Sequence, residues 1–176
     1  MIVGARSLRC WLALALALIG AGCASNPSEG YAFGWTHSED VRTIAVPMFD
    51  NRTYATDVEF ALTEAIIAEI QRSTPWVVVG EERADTTLSG VLTQESATTL
   101  STTPGTGLVQ ENALTLTVDF DWRDNRTGET LVARDRFSAV GTYAPAQGTG
   151  ERREIGQRQA IRELARDIVA ELRADW

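Results

Sequence analysis

The sequence has few of the groups that enzymes and metal sites most often use. It contains two cysteines and one histidine, and it has no lysine, so every basic side chain is an arginine. We expect His37 to be an exposed loop residue rather than a base or a metal ligand. Nucleophilic catalysis needs a base beside the nucleophile, and the scarcity of both argues against a catalytic triad. The sequence therefore predicts a protein that is not an enzyme.

Positive charge is also scarce, because the formal net charge is −8 at pH 7. An acidic surface repels the phosphates of DNA and RNA, which a nucleic-acid-binding protein must neutralise. No glycine-rich segment that would cradle a phosphate follows a predicted strand. The composition therefore argues against nucleic acid as a partner.

Long apolar runs are absent except for one near the N-terminus, from Cys10 to Ile19, which Arg6 and Arg9 precede. The run has roughly half of the ~20 residues that a helix needs to cross a bilayer. A core helix would carry polar residues on its outer face, which this run lacks. A basic start, a short apolar middle and small residues before a cut site predict an export signal peptide over residues 1–22.

The end of this segment, Gly20-Ala21-Gly22-Cys23, resembles the lipobox of bacterial lipoproteins. The resemblance implies that Cys23 carries a diacylglycerol and an N-acyl chain and becomes the first residue of the mature protein; no other cofactor is expected. The motif departs from the usual pattern at Gly20, where Leu is preferred. The alternative is an ordinary secreted protein that is cut nearby, in which Cys23 is a spare thiol. Two or more acyl chains hold a protein firmly on a membrane.

Residues 23–30 are expected to form a flexible polar tether. The lipoprotein resemblance also implies sorting to the outer membrane, on its periplasmic face, because Ala24 rather than Asp follows the Cys. Removing residues 1–22 would leave 154 residues with a net charge of −10, because two arginines are lost. Residues 31–176 suffice for a single domain with a substantial core. With Cys23 acylated no thiol remains, so disulfides are excluded.

A first strand is predicted over residues 41–49, where Ile44, Val46 and Met48 alternate on one side. Pro47 cannot donate a ladder hydrogen bond, so it belongs at an edge or at the end of this strand. Residues 50–52 then predict a turn.

A helix is predicted over residues 56–72. Thr56, with Glu59 three residues later, fits a capping box at its start. Its apolar residues fall on one face. They are Val58, Leu62, Ile66 and Ile70.

A short buried strand is predicted over residues 74–80 and a longer one over 86–100, joined by a charged turn or bulge at 81–85. Residues 101–110 are a loop by composition. The clearest strand follows, with one dry face and one wet face. Its dry positions are Leu114, Leu116, Val118, Phe120 and Trp122, and its wet positions are Thr115, Thr117, Asp119 and Asp121.

Residues 123–130 predict a hairpin turn, in which Asn125 and Gly128 suit positive φ. The return strand is predicted over residues 131–143. Pairing Trp122 with Leu131 fixes the register of the whole hairpin. The other predicted pairs are Phe120 with Ala133, Leu116 with Phe137 and, on the wet face, Asp119 with Arg134.

A final helix is predicted from an apolar stripe after a loop at residues 141–150, although Gly156 weakens its first turn. The stripe consists of Ile161, Leu164, Ala165, Ile168, Val169 and Leu172. The order of elements is therefore β-α-β-β-β-(β)-α. A sheet with one apolar face and two helices with one apolar stripe each predict an α/β (α+β) two-layer sandwich. Its mixed sheet has four to five strands, both helices cover one face, and the other face stays polar and available.

The polar sheet face supplies the few candidate site residues. Asp119, Asp121 and Asp124 could form a cation site or a carboxylate pair, but alternation favours solvated charge at the first two. Arg134 and Arg136 fall on the same face and are candidates for binding an anionic ligand. The competing interpretation pairs Arg134 with Asp119 across the strands.

Several segments together resemble the family of lipopolysaccharide-assembly lipoproteins known as LptE. They are GYAFG, VRTIAVPMFDNRTYATDVEFALTEAI, RADTTLSGVL, LTLTVDFDWRDNRTGETL and AIRELARDIV, and they run from about residue 30 to the C-terminus. The resemblance implies two helices on a mixed sheet, a lipid tether to the outer membrane, assembly with and plugging of a large outer-membrane β-barrel, and contact with lipopolysaccharide. The matching motifs concern the fold, so no binding residue is transferred from the family.

Two other classes of function are left open by the sequence. The first is a free-standing envelope lipoprotein that binds a small ligand or peptidoglycan without a barrel partner. The second is an anchored hydrolase that uses the carboxylates of Asp119 and Asp121.

Overall fold

The computed structural model describes residues 41–145 and 153–174, which form one sheet and two helices. The strands are β1 (Thr43–Ala45), β2 (Asp50–Asn51), β3 (Val77–Val78), β4 (Thr86–Thr102), β5 (Val109–Asp124) and β6 (Thr130–Tyr143). The helices are α1 (Val58–Ser73) and α2 (Arg153–Ala174). Neither described helix is long and apolar enough to cross a bilayer.

The sheet runs in the order β3-β1-β4-β5-β6, and β2 also pairs with β4. Strands β1, β2 and β3 are parallel to their neighbours, whereas β4, β5 and β6 form an antiparallel meander. The helix α1 connects β1 and β2 to the parallel strand β3, as a parallel connection requires. The predicted fold class is confirmed. The count reaches six strands because Asp50–Asn51, in the predicted turn, forms the additional strand β2.

One core lies between the sheet and the two helices. The predicted helical faces are buried, and each fully buried Leu or Ile contributes about 1.5–3 kcal/mol relative to an exposed one. Trp76 and Trp122 meet in this core, with their ring centroids 5.1 Å apart. The side chains without exposed surface include Leu62, Ile66, Ile70, Leu88, Leu92, Leu114, Leu116, Trp122, Leu164, Ile168 and Leu172.

The predicted strand over residues 41–49 is wrong in its length and in one of its buried positions. Regular pairing ends at Ala45, before Pro47, as the missing proline donor predicts. Met48 is 59% exposed, whereas Phe49 is buried. A Cβ atom on Gly90 would overlap the Phe49 ring, so a glycine there leaves the space that this ring fills.

The predicted turn at residues 50–52 and the capping box are also wrong. Asp50 and Asn51 form β2, and the amide of Arg52 continues the pairing to Leu92 of β4 at 2.9 Å. The residue before α1 is Asp57, in the left-handed region at φ 66° and without a side-chain cap. Glu59 instead accepts a hydrogen bond from Nδ2 of Asn51 at 2.7 Å.

The segment 74–80 is a short edge strand rather than a buried one. Its regular part is only Val77–Val78, and Val77 is 59% exposed. The predicted loop at 101–110 is shorter than expected, because β4 extends to Thr102 and β5 begins at Val109.

The register of the hairpin between β5 and β6 differs from the prediction. Trp122 pairs with Val132, Phe120 pairs with Arg134, and Leu116 pairs with Ala139. Two register shifts, one next to Arg123 and one at Asp119, account for the difference. The turn contains one predicted positive φ, at Gly128, and none at Asn125.

The first strand is held in place by Asp85, which precedes β4. One of its carboxylate oxygens accepts hydrogen bonds from the Thr43 hydroxyl at 2.8 Å and from the amides of Thr43 and Arg42 at 2.9 and 3.1 Å. These bonds, with that from the Thr43 hydroxyl first, hold the pKa of Asp85 below its ordinary value of 3.8. A single carboxylate thus satisfies backbone donors at the start of a three-residue strand.

The start of α2 lies against β6 through two glycines. A Cβ atom on Gly141 would overlap the carbonyl oxygen of Gly156 and lie 2.7 Å from the amide of Ala160. The side chain of Tyr143 occupies the space beside Gly156. Gly156, which weakens the helix as an isolated segment, is therefore required for close helix-to-strand packing.

Candidate functional site

Several predicted features lie outside the described residues. The signal peptide over 1–22, the tether over 23–30, the lipid-bearing Cys23 and His37 all precede residue 41. They stay predictions. The site residues that can be located are those of the domain.

Arg134 does not lie on the polar sheet face, and its predicted pair with Asp119 is wrong. It pairs with Phe120, whose side chain is in the core, so Arg134 is directed to the helix side. Its guanidinium contacts the carboxylate of Glu171 on α2, with NH2 and Nε at 2.7 and 2.9 Å from Oε2. The first register shift is the cause, because it moves Arg134 to the opposite face.

Arg136 is exposed and lies where the β5–β6 ladder is interrupted. Its φ of 54° is in the left-handed region, which is uncommon for a residue other than glycine. Its amide donates to Oδ1 of Asp119 at 2.7 Å, so Asp119 stabilises the irregular backbone rather than pairing with an arginine side chain. Of the two predicted ligand-binding arginines, Arg136 is exposed, whereas Arg134 is held by Glu171 of α2.

The three candidate carboxylates each serve a separate local contact. Asp119 holds the amide of Arg136. Asp121 forms an ion pair with Arg123. Asp124 accepts hydrogen bonds from the amides of Thr127 and Arg126, which lower its pKa. In residues 41–145 and 153–174 no three His, Cys, Asp or Glu side chains are grouped so that they could hold a metal ion.

A cavity of about 420 Å³ lies beside the start of α1 and the start of α2. The loop between β2 and α1, the irregular part of β4 and the first residue of α2 form its walls. Its lining residues are Arg52, Thr53, Tyr54, Ala55, Thr93, Gln94, Glu95 and Arg153.

Glu95 lies in the wall of this cavity and is almost completely buried. Its side chain is 4% exposed, and Oε1 accepts a hydrogen bond from NH2 of Arg153 at 2.6 Å. Nε2 of Gln157 lies 3.5 Å from the same oxygen. The other oxygen, Oε2, has no hydrogen-bond partner in the described part of the chain. A buried carboxylate oxygen without a partner is costly, and such exceptions are often found at binding sites.

The loop that carries Arg52 and Tyr54 is shaped by Asn51. Its Oδ1 accepts hydrogen bonds from the amide and the hydroxyl of Thr53, both at 2.8 Å. Its Nδ2 donates to the carbonyl of Ala55 at 2.6 Å. The closed loop presents Tyr54, which is fully exposed, and Arg52, which has no carboxylate within ion-pair distance in the described residues.

Charge in the cavity is opposite to that of the whole chain. Arg52 and Arg153 contribute two positive charges against the one negative charge of Glu95. Arginine forks bind phosphates and carboxylates with two parallel hydrogen bonds. The cavity can therefore hold an anionic group in an otherwise acidic protein.

The sequence pattern does not predict this cavity, because Glu95 in its wall lies beyond an irregularity of β4. The pairing of Leu92 with Val118 and of Gln94 with Thr117 leaves Thr93 as an extra residue in β4. The shift reverses the alternation, so that Glu95 pairs with Leu116 and shares its buried face. A continuous strand would instead place Glu95 on the polar face. The weak apolar pattern of residues 86–100 was the only available signal.

A family model for lipopolysaccharide assembly, LptE, matches residues 41–173. The chain belongs to this family. The match includes every described strand and nearly all of α2, so the LptE family assignment rests on the whole domain and on no single motif.

Solved structures share the fold of this LptE-family domain at low identity. A hypothetical protein from Chlamydia trachomatis has a TM-score of 0.52 and 10% identity over 76% of this chain and 96% of that one. A protein from Xanthomonas campestris has a TM-score of 0.51 and 9% identity over 77% and 85% of the two chains. The PelC dodecamer from Paraburkholderia phytofirmans has a TM-score of 0.50 and 16% identity over 78% and 92%. No curated protein sequence matches the chain significantly. These likenesses concern the fold alone.

Proposed function

We propose that this LptE-family chain is a non-enzymatic subunit of the machine that transports lipopolysaccharide to the outer membrane and inserts it there. Lipid chains on Cys23 hold it at the periplasmic face of that membrane, where the domain joins and plugs a β-barrel translocon. The observation that carries the proposal is the family match over residues 41–173. The lipobox resemblance before the domain supports the anchor.

The surroundings of the candidate carboxylates support a non-catalytic role. A general acid or base needs a titratable group that can reach a substrate. Asp119, Asp121 and Asp124 are each engaged by a neighbouring amide or arginine of the same hairpin. These contacts stabilise turns and a register shift, which is a structural use of carboxylates.

The cavity beside Glu95 is the proposed contact for lipopolysaccharide. Arg52 and Arg153 offer forks for a phosphate of the lipid, and Thr53 and Gln94 offer hydrogen-bonding groups for sugar hydroxyls. Arg136, together with Arg134, is the rival location. Arg134 and Arg153 are each held by a carboxylate, so the choice rests on the cavity that Arg52 and Arg153 line together.

Replacement of the lipidated residue tests the anchor and the partner together. We expect Cys23→Ala to abolish fatty-acid incorporation and to release a folded domain from membranes. The wild-type chain, extracted in mild detergent, should co-purify with a β-barrel protein in a fixed ratio. A wild-type chain that stays in the membrane yet repeatedly purifies alone would favour the free-standing envelope lipoprotein.

Binding of purified lipopolysaccharide tests the cavity. Loss of one charge-assisted phosphate contact of about 1.5 kcal/mol should weaken binding about tenfold in Arg52→Ala. The matched control is Arg166→Ala, which removes an exposed arginine of α2 that pairs with Glu163. If Arg134→Ala with Arg136→Ala weakens binding while Arg52→Ala does not, the contact lies on the β5–β6 hairpin and the cavity assignment is wrong.

A further inference from the structure

The outer edge of the sheet is formed by β6, and the two halves of this edge differ. Residues 130–136 contain Arg134, Asp135 and Arg136 in succession, and both register shifts of the β5–β6 ladder lie in this half. Charges and irregular pairing are the devices by which proteins prevent an exposed edge from joining another chain. This half of the edge is therefore protected.

Residues 137–143 have neither device. The segment FSAVGTY has no charged residue and no proline, in a chain whose residues are 23% charged. It pairs with residues 112–118 of β5 without a register shift. Ala139 and Gly141 are buried on the helix side, whereas Val140 is 47% exposed on the other side. This half is a regular edge about 24 Å long.

The direction of its unpaired backbone groups follows from one hydrogen bond. The amide of Thr142 donates to Oε1 of Gln159 on α2, at 3.3 Å, rather than to β5. Because backbone groups alternate in direction along an antiparallel strand, the amides of Ser138 and Val140 point to the same outer side. Neither amide has a partner within the described ranges. The edge thus presents at least two donors in one row.

We propose that residues 137–143 accept an extended strand of the partner protein, which continues the sheet beyond β6 by main-chain hydrogen bonds. This inference rests on the proposed assembly with a β-barrel. The added strand comes from a segment outside the barrel wall, because a closed barrel has no free edge. It is uncharged where it pairs, since this half of β6 offers no ionic partner.

A second copy of the chain is the less favourable occupant. Two mature chains that each carry a net charge of −10, after the loss of Arg6 and Arg9, repel one another, and this half of the edge has no charges that would compensate. A partner strand meets the same neutral edge without that repulsion between identical molecules.

Amide hydrogen exchange tests the pairing directly. The full lipidated chain is isolated with its barrel protein through an affinity tag and compared with the lipidated chain alone in the same detergent. The amides of Ser138 and Val140 should exchange at least tenfold more slowly in the complex, while that of Asp135 should not change. Co-purification without this protection overturns the inference and leaves the proposed function standing. A chain that never co-purifies with a barrel overturns both, and protection in a species that contains only copies of this chain overturns the partner strand.

Variants of Val140 provide a second test. Val140→Pro removes an outward amide and no bond to β5, whereas the matched control Val140→Ala keeps that amide and shortens the same side chain. At least tenfold less barrel protein should be recovered with the proline variant, which corresponds to about 1.4 kcal/mol. With the alanine variant the recovery should decrease less than twofold. Equal recovery with both variants overturns the inference.

Thermal unfolding establishes that the variants are folded. If Val140→Pro is not folded, Val140→Lys replaces it, because a lysine on an edge opposes strand addition. Its control is Ala133→Lys, at an exposed position in the protected half of β6. The same tenfold loss is expected for Val140→Lys alone, and equal recovery with the two lysine variants overturns the inference.

Discussion

The parallel half of the domain, β1 to β3 with α1, and the antiparallel half, β4 to β6 with α2, are held together differently. Strands in the first half have two or three residues, whereas those in the second have 14 to 17. In the parallel half single side chains, such as Asp85 and Asn51, satisfy backbone groups that a longer ladder would pair. In the antiparallel half continuous ladders do so, and a helix packs closely on the strand backbone. The stability of the parallel half therefore depends on hydrogen bonds from single polar side chains, and that of the antiparallel half depends on close packing between α2 and β6.

The largest effect is expected where the antiparallel half has no space. In Gly141→Ala the new methyl group would overlap the Gly156 carbonyl, and the backbone of α2 or β6 must move. Overpacking of this kind should lower the free energy of unfolding by about 3 kcal/mol, as measured by chemical denaturation. The control is Gly80→Ala, where no atom lies within 4 Å of the added Cβ. Similar stabilities of the two variants would contradict the close packing.

A smaller effect, dependent on pH, is expected at the polar anchor of the parallel half. Asp85→Asn should lower the free energy of unfolding by about 2 kcal/mol at neutral pH, because hydrogen bonds to a charged acceptor are lost. The folded pKa of Asp85 lies below 3.8, so its contribution is complete above that pH and is lost as the pH falls through the folded value. Chemical denaturation of the wild type and of Asp85→Asn at several pH values measures this contribution. A stability difference between the two that persists unchanged in acid would contradict the assignment to the Asp85 carboxylate.

The smallest effect is expected on the outer surface of α2. Burial, followed by the charge of Glu163, raises the pKa of Asp167 above its ordinary value of 3.8. A raised carboxyl pKa destabilises the fold at neutral pH, and this cost disappears as the pH falls below the folded value. Asp167→Asn should therefore stabilise the protein by about 0.3 kcal/mol at pH 7 and by nothing in acid. The control is Glu154→Gln, in the first turn of the same helix. An equal gain in stability from both substitutions would exclude the raised pKa of Asp167 as the cause.

The same contrast explains which parts of the fold could be predicted from the sequence. In β5 the strict alternation from Leu114 to Trp122 indicates both the strand and its buried face, and the structure confirms both. In β1 and β2 two or three residues are too few for a period to be recognised, so the alternation wrongly predicts a buried side for Met48, which lies between these strands and is exposed. Short parallel strands are determined by contacts distant in sequence, such as that between Asp85 and Thr43.

Irregular residues limited the prediction of the candidate site. Arg136 has a left-handed backbone without being a glycine, and Thr93 is an extra residue in an otherwise plain strand. Neither carries a composition signal, yet each changes which side chains share a face. The irregular backbone at Arg136 shifts the hairpin register, and the extra residue Thr93 places Glu95 in the wall of the cavity. The prediction of two helices on one face of the sheet is confirmed, because long apolar stripes do not depend on such local shifts.

The contact between Gly141 and Gly156 also has a practical consequence for labelling the protein. It leaves no room for a side chain at Gly141, where an added Cβ atom would overlap the Gly156 carbonyl, whereas no atom lies within 4 Å of a Cβ atom added at Gly80. A fluorophore attached through a substituted residue should therefore be placed at Gly80, where it leaves the packing of α2 on β6 undisturbed.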